Sequence, residues 1–80
     1  MEEKLNKAWV NENTFIQGYI QYYNHHLQQF RDYKGVPVDM SIDIVNIDEF
    51  KKINIRNLDD VINLRDALND YIDEFEKRKM

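Results

Sequence analysis

The fold turns on residues 14–35, TFIQGYIQYYNHHLQQFRDYKG, because two periodicities fit them. As a helix, the stretch sets Phe15, Ile16, Tyr19, Ile20, Tyr23, Leu27 and Phe30 on one face, running to Tyr33. Thr14 and Gln17 can form a capping box at its start, and Lys34-Gly35 is a natural stop. As a strand, TFIQGYIQYY is rich in β-branched and aromatic residues, and the preceding WVNENTF can turn between two strands. The helix is the expectation carried forward, with Leu5, Ala8 and Trp9 as a short helical lead-in. Extra N-terminal strands are the alternative.

Downstream, each segment carries a single period. Val36, Val38, Met40, Ile42 and Ile44 alternate with Pro37, Asp39, Ser41 and Asp43, which predicts a strand over 36–45 with one buried face. Pro37 cannot donate to a ladder and suits the strand entrance. A shorter alternation over 51–56 completes an antiparallel hairpin. Val61, Leu64, Leu68, Tyr71 with Ile72, and Phe75 then mark one face of a helix over 58–78. Asn57 is its N-cap, Asp59 and Asp60 suit the positive end of the helix dipole, and Lys77, Arg78 and Lys79 suit the negative end.

The expected architecture is one small two-layer α+β domain spanning 1–80, α-β-β-α, with the hairpin packed on helices. The alternative is a β-meander followed by the same C-terminal helix. A two-stranded hairpin alone is marginal in water. Either the 5–20 region adds a strand, or two copies pair their hairpins, so a homo-oligomer is expected.

Composition narrows the function classes. Eighty residues bury only about 60–65% of the surface the unfolded chain exposes, so the core is modest. With 42% hydrophobic and 12% aromatic residues the chain is nevertheless a folded type. The absence of cysteine removes disulfides, a thiolate nucleophile and Cys-based zinc sites. No apolar run reaches the roughly 20 residues of a membrane span, and MEEKLNKAWV lacks a signal-peptide pattern, so a cytoplasmic location and no membrane contact are expected. Nine Asn and nine Ile against one Ser and one Thr are the usage of AT-rich codons, as in a low-GC bacterium or its phages.

Catalytic chemistry finds little to work with. Ser41 sits at an outward strand position and Thr14 reads as a cap. His25 and His26 are adjacent, so on a helix they point about 100° apart, and no carboxylate or second histidine stands three or four positions from either. The two glycines, Gly18 and Gly35, cannot form a phosphate-binding loop, and no calcium loop is present. No enzyme activity, cofactor or metal is expected.

Residues 19–37, YIQYYNHHLQQFRDYKGVP, resemble a segment near the end of the catalytic core in insertion-sequence transposases of the DDE integrase type. Tyr19, Ile20, Tyr23, Asn24, Gly35 and Pro37 match its pattern, while Leu27 stands at the arginine position. The likeness covers under a quarter of the chain and no DDE acids accompany it. It implies a helix here and no transposase activity.

The charge is unevenly laid out. Residues 1–38 are neutral, 39–76 carry −7 and the tail Lys77–Lys79 returns +3, for a net −4. Asp59, Asp66, Asp70 and Asp73 form a stripe on the last helix, and Asp39 and Asp43 add to it from the hairpin. Such a field repels nucleic acid and anionic membranes and attracts basic protein surfaces. The expected partner is therefore a host protein with a basic surface, a nucleic-acid-binding protein among the candidates, with the aspartates mimicking phosphates. In size, acidity and lack of motifs the chain resembles small phage anti-defence inhibitors, including anti-CRISPR proteins. Trp9, Tyr19, Tyr22 and Tyr23 offer a second, aromatic contact surface. The expected role is a stoichiometric inhibitor or regulator; a structural homo-oligomeric accessory protein is the alternative.

Overall fold

The computed structural model describes residues 2–22 and 36–79. Its elements in chain order are β1 (Glu2–Lys4), β2 (Ala8–Trp9), β3 (Thr14–Tyr22), β4 (Pro37–Asn46), β5 (Lys51–Ile55) and α1 (Leu58–Lys79). The α+β class, the hairpin and the long C-terminal helix are as expected. In the first third the alternative holds: residues 14–22 are a strand, and Ala8 and Trp9 belong to a strand as well. The rest of the expected first helix, including Tyr23, His25 and His26, lies outside the described residues.

The strands form one antiparallel meander in which β3 and β4 are central and β5 is an edge. On the other edge, β1 and β2 are two halves of a single bulged strand. Lys4 opposes Tyr19 and Ala8 opposes Ile16, and the Leu5 N–H donates to the Gly18 carbonyl at 2.9 Å. Asn6 and Lys7 are thus left opposite Gln17 alone, two residues against one. The turn at 10–13 closes this hairpin through the Val10 N–H to the Thr14 carbonyl at 2.8 Å, and the Ile47 N–H ties it to β4 by donating to the Asn13 carbonyl at 2.9 Å.

Register separates two sheet faces. Ile16, Gly18 and Ile20 oppose Ile44, Ile42 and Met40, and Ile53 and Ile55 continue this apolar face on β5. Phe15, Gln17, Tyr19 and Gln21 oppose Val45, Asp43, Ser41 and Asp39, which makes the other face mostly polar. Gly18 has a structural reason on the apolar face: a Cβ there would stand 3.1 Å from Leu5 Cδ1. The core is thin. Phe15 and Ile42 are its buried hydrophobic residues among those described, and no described side chain is completely enclosed.

The loop at 47–50 joins β4 to β5, with the Glu49 N–H donating to Asn46 Oδ1 at 2.9 Å. Phe50 closes it in the left-handed region, φ 56°, with 93% of its surface exposed. For a residue with a Cβ that conformation costs roughly 1–2 kcal/mol, which the hairpin geometry imposes.

Helix α1 begins under two caps. Asn57 Oδ1 accepts the Asp60 N–H at 2.9 Å, and Asp39 Oδ1 on β4 accepts the Leu58 N–H at 2.7 Å. Leu58 shares a groove with Ile20 and Met40, so the first turn starts over the apolar face. Val61, Ile62 and Leu64 are half-buried, and beyond Leu64 every described helix residue is exposed. The helix is about 33 Å long at 1.5 Å per residue. The molecule measures 58 × 29 × 17 Å, and its radius of gyration of 16.6 Å exceeds the roughly 12 Å of a compact chain of this length.

Candidate interaction surfaces

Most polar side chains of the polar sheet face are held by partners within the chain. Gln17, 3% exposed, directs its amide Nε2 to the Leu5 carbonyl, which the bulge removes from the ladder, and to the Gly18 carbonyl at 3.3 Å. Asp43, 8% exposed, accepts Asn54 Nδ2 at 2.7 Å and stands beside Tyr19 on the same sheet face. Burial raises the Tyr19 pKa above its ordinary 10.0, and the Asp43 charge and hydrogen bond and the Glu2 charge add to the shift. The Tyr22 hydroxyl donates to Glu3 Oε1 at 2.5 Å; that bond, then burial, then the Glu3 charge raise its pKa too. Gln21 Nε2 reaches Glu2 Oε2 at 3.0 Å, while its Oε1 is buried without a partner.

These contacts reassign several expected contact residues. Asp43 is not an outward acid: it is engaged within the sheet. Asp39 is half-buried and accepts the N–H groups of Leu58 and Met40. Tyr19 and Tyr22 are likewise half-buried, and Tyr22 is bonded to Glu3, so neither is a free aromatic anchor. Trp9 is exposed on one side and packs on Phe15 with the other, centroids 5.0 Å apart at 58°. Lys7 Nζ stands 4.5 Å from the centroid of the same Phe15 ring. The expected aromatic surface therefore reduces to Trp9 among the described residues.

The acidic stripe divides in the same way. Asp59, Asp66, Asp70 and Asp73 fall within about 60° of one another at 100° per residue, so α1 does align them. All four are exposed. Asp66 pairs with the neighbouring Arg65 at 3.1 Å, and Asp59, Asp70 and Asp73 make no ion pair with any described residue. Asp39 and Asp43 on β4 do not extend this stripe.

Opposite the aspartates runs a feature whose exposure sequence reasoning missed. Leu68, Tyr71 and Phe75 are 51%, 74% and 64% exposed, with Ile72 beside them. Their spacing is visible in the sequence, but amphipathicity says only which face is apolar and not whether anything covers it.

Among the described residues the pockets are shallow. Two open grooves of about 290 and 210 Å³ lie at the 47–50 loop and at the start of α1. Both fall below the roughly 300–1,000 Å³ of ordinary ligand pockets. Among the described residues no cluster of His, Asp and Glu could hold a metal ion, and no helix is long and apolar enough to cross a membrane. Comparison with protein families, curated proteins and solved structures finds no match to the chain.

Proposed function

We propose that the chain is a small protein–protein interaction module of the cytoplasm. It acts stoichiometrically, by binding rather than catalysis, to inhibit or regulate a protein with a basic surface. The observation that carries this reading is α1: a 22-residue helix without a buried residue, extending past its sheet with four aligned aspartates. An acidic helix face attracts a basic surface over roughly a Debye length, about 10 Å at 0.1 M salt. The resemblance in size and acidity to phage anti-defence inhibitors supports the same role.

The test uses the tagged chain as bait against host lysate beside the variant Asp66→Asn, Asp70→Asn, Asp73→Asn. Those exposed changes leave the sheet intact, which circular dichroism verifies. The reading expects a protein retained by the wild type at low salt, lost from the variant, and released as salt rises. Equal retention by both chains, insensitive to salt, overturns it.

A further inference from the structure

The apolar side of α1 has the geometry of a coiled-coil seam. Val61, Leu64, Leu68, Tyr71 and Phe75 are spaced three, four, three and four, the a and d positions of successive heptads. The chain's own sheet half-covers Val61 and Leu64 and leaves the Leu68, Tyr71 and Phe75 layers open. We infer that this seam is the interface of a parallel two-stranded coiled coil formed with a second copy of the chain.

The residues flanking the seam identify the occupant and its direction. The g positions are Asp60, Ala67 and Glu74, and the e positions are Arg65, Ile72 and Lys79. A parallel pair brings each g beside the e five residues on in the second copy. That sets Asp60 against Arg65, Ala67 against Ile72 and Glu74 against Lys79: two opposite charges and one apolar pair, repeated on both sides by symmetry. An antiparallel pair over the same seam sets Ala67 against Glu74 and Arg65 against Ile72, a charge against an apolar side chain at each flank. The aspartate stripe lies on the far side of the helix, so the dimer leaves both copies of it outward. Within one chain Glu74 holds Lys77 at 4.0 Å and Arg78 at 3.5 Å, and Arg65 holds Asp66 at 3.1 Å. These are exposed pairs of small worth and yield readily to a partner across the seam.

This dimer does not depend on the proposed target binding, and it replaces the sequence-based reason for self-association. A lone hairpin needing a second hairpin is not what the chain contains, because β1, β2 and β3 already widen the sheet.

Sedimentation velocity at high micromolar concentration tests the proposal. The wild type sediments as a dimer, and Leu68→Glu with Phe75→Glu gives a monomer with unchanged sheet signals, since both side chains are over half exposed. Glu74→Lys weakens the dimer several-fold at low salt, and adding Lys79→Glu restores it. The chain lacks cysteine, so Arg78→Cys, at the next d position, reports direction: a parallel pair cross-links under mild oxidation. A wild type that stays monomeric overturns the inference, as when residues 23–35 of the same chain cover the seam. So does a dimer that survives the double glutamate variant, which would use another surface. A dimer that never cross-links through Arg78→Cys overturns it too, because its helices run antiparallel.

Discussion

The sheet formed by residues 2–22 and 36–55 encloses polar side chains, and the distal half of α1 exposes apolar ones. On the sheet, Gln17 and Asp43 are more deeply buried than most of the hydrophobic residues around them, and each is held by named partners. On the helix, Leu68, Tyr71 and Phe75 face water. A buried amide or carboxylate is tolerated only when bonded, so the sheet is closed by its own contacts. An uncovered apolar stripe has no such closure among the described residues. The two regions therefore differ in where their apolar and polar groups find contacts: the sheet holds Gln17 and Asp43 within one copy, and the distal helix leaves Leu68, Tyr71 and Phe75 open.

The largest effect should separate them directly. Phe15→Ala removes the ring that joins Trp9, Lys7 and the sheet, and core Phe→Ala changes cost about 3–5 kcal/mol. That is a large share of the stability of a small domain. Phe75→Ala, the same substitution on the helix, should cost under about 0.5 kcal/mol in dilute monomer, as surface changes do. Urea denaturation followed by Trp9 fluorescence measures both. If the two variants lose similar stability, α1 is packed as tightly as the sheet and the contrast between the regions fails.

The same contrast explains what the sequence disclosed. The hairpin and α1 are legible because each carries one period: the alternation predicts 36–45 where the strand is Pro37–Asn46, and the helical spacing predicts 58–78 where the helix is Leu58–Lys79. Residues 14–22 are not, because positions i and i+4 share a face in a helix and in a strand alike. Phe15 with Tyr19, and Ile16 with Ile20, satisfy both. Gly18 was the available signal, since a mid-helix glycine costs about 1 kcal/mol whereas a strand glycine admits a neighbour, here Leu5. The alternation puts Asp43 on the polar face, where the structure has it, but its cover comes from β3, a stretch that fits a helical period equally well.

A smaller test bears on the hidden polar groups. Gln17→Met keeps the side-chain length and leaves the Leu5 carbonyl at the bulge without its partner. An unsatisfied buried acceptor costs about 1–3 kcal/mol. Asp66→Asn on the helix should change stability by less than about 0.5 kcal/mol. Hydrogen exchange locates the effect: in Gln17→Met the amides of 2–9 should exchange faster while those of α1 are unchanged. Protection of 2–9 as strong as in the wild type would show that the bulge does not rely on Gln17.

The smallest effect is a pH dependence confined to the sheet. Tyr19 and Tyr22 both have raised pKa values in the fold, Tyr19 chiefly through burial and Tyr22 chiefly through its bond to Glu3. A raised folded value means that the folded state holds the proton more tightly than the unfolded chain, whose tyrosines titrate near 10.0. The stability these groups contribute is thus fully present below pH 10 and is lost as the pH climbs through the folded values above it. Melting temperature should accordingly fall on the alkaline side of pH 10, with the loss seen in Trp9 fluorescence. Tyr22→Phe should start lower at neutral pH, having lost the bond to Glu3, and fall less steeply above pH 10. An alkaline slope unchanged by Tyr22→Phe would mean that the hydroxyl is exchanging with water rather than held by Glu3, and that the sheet edge is open where Gln17 and Asp43 are not.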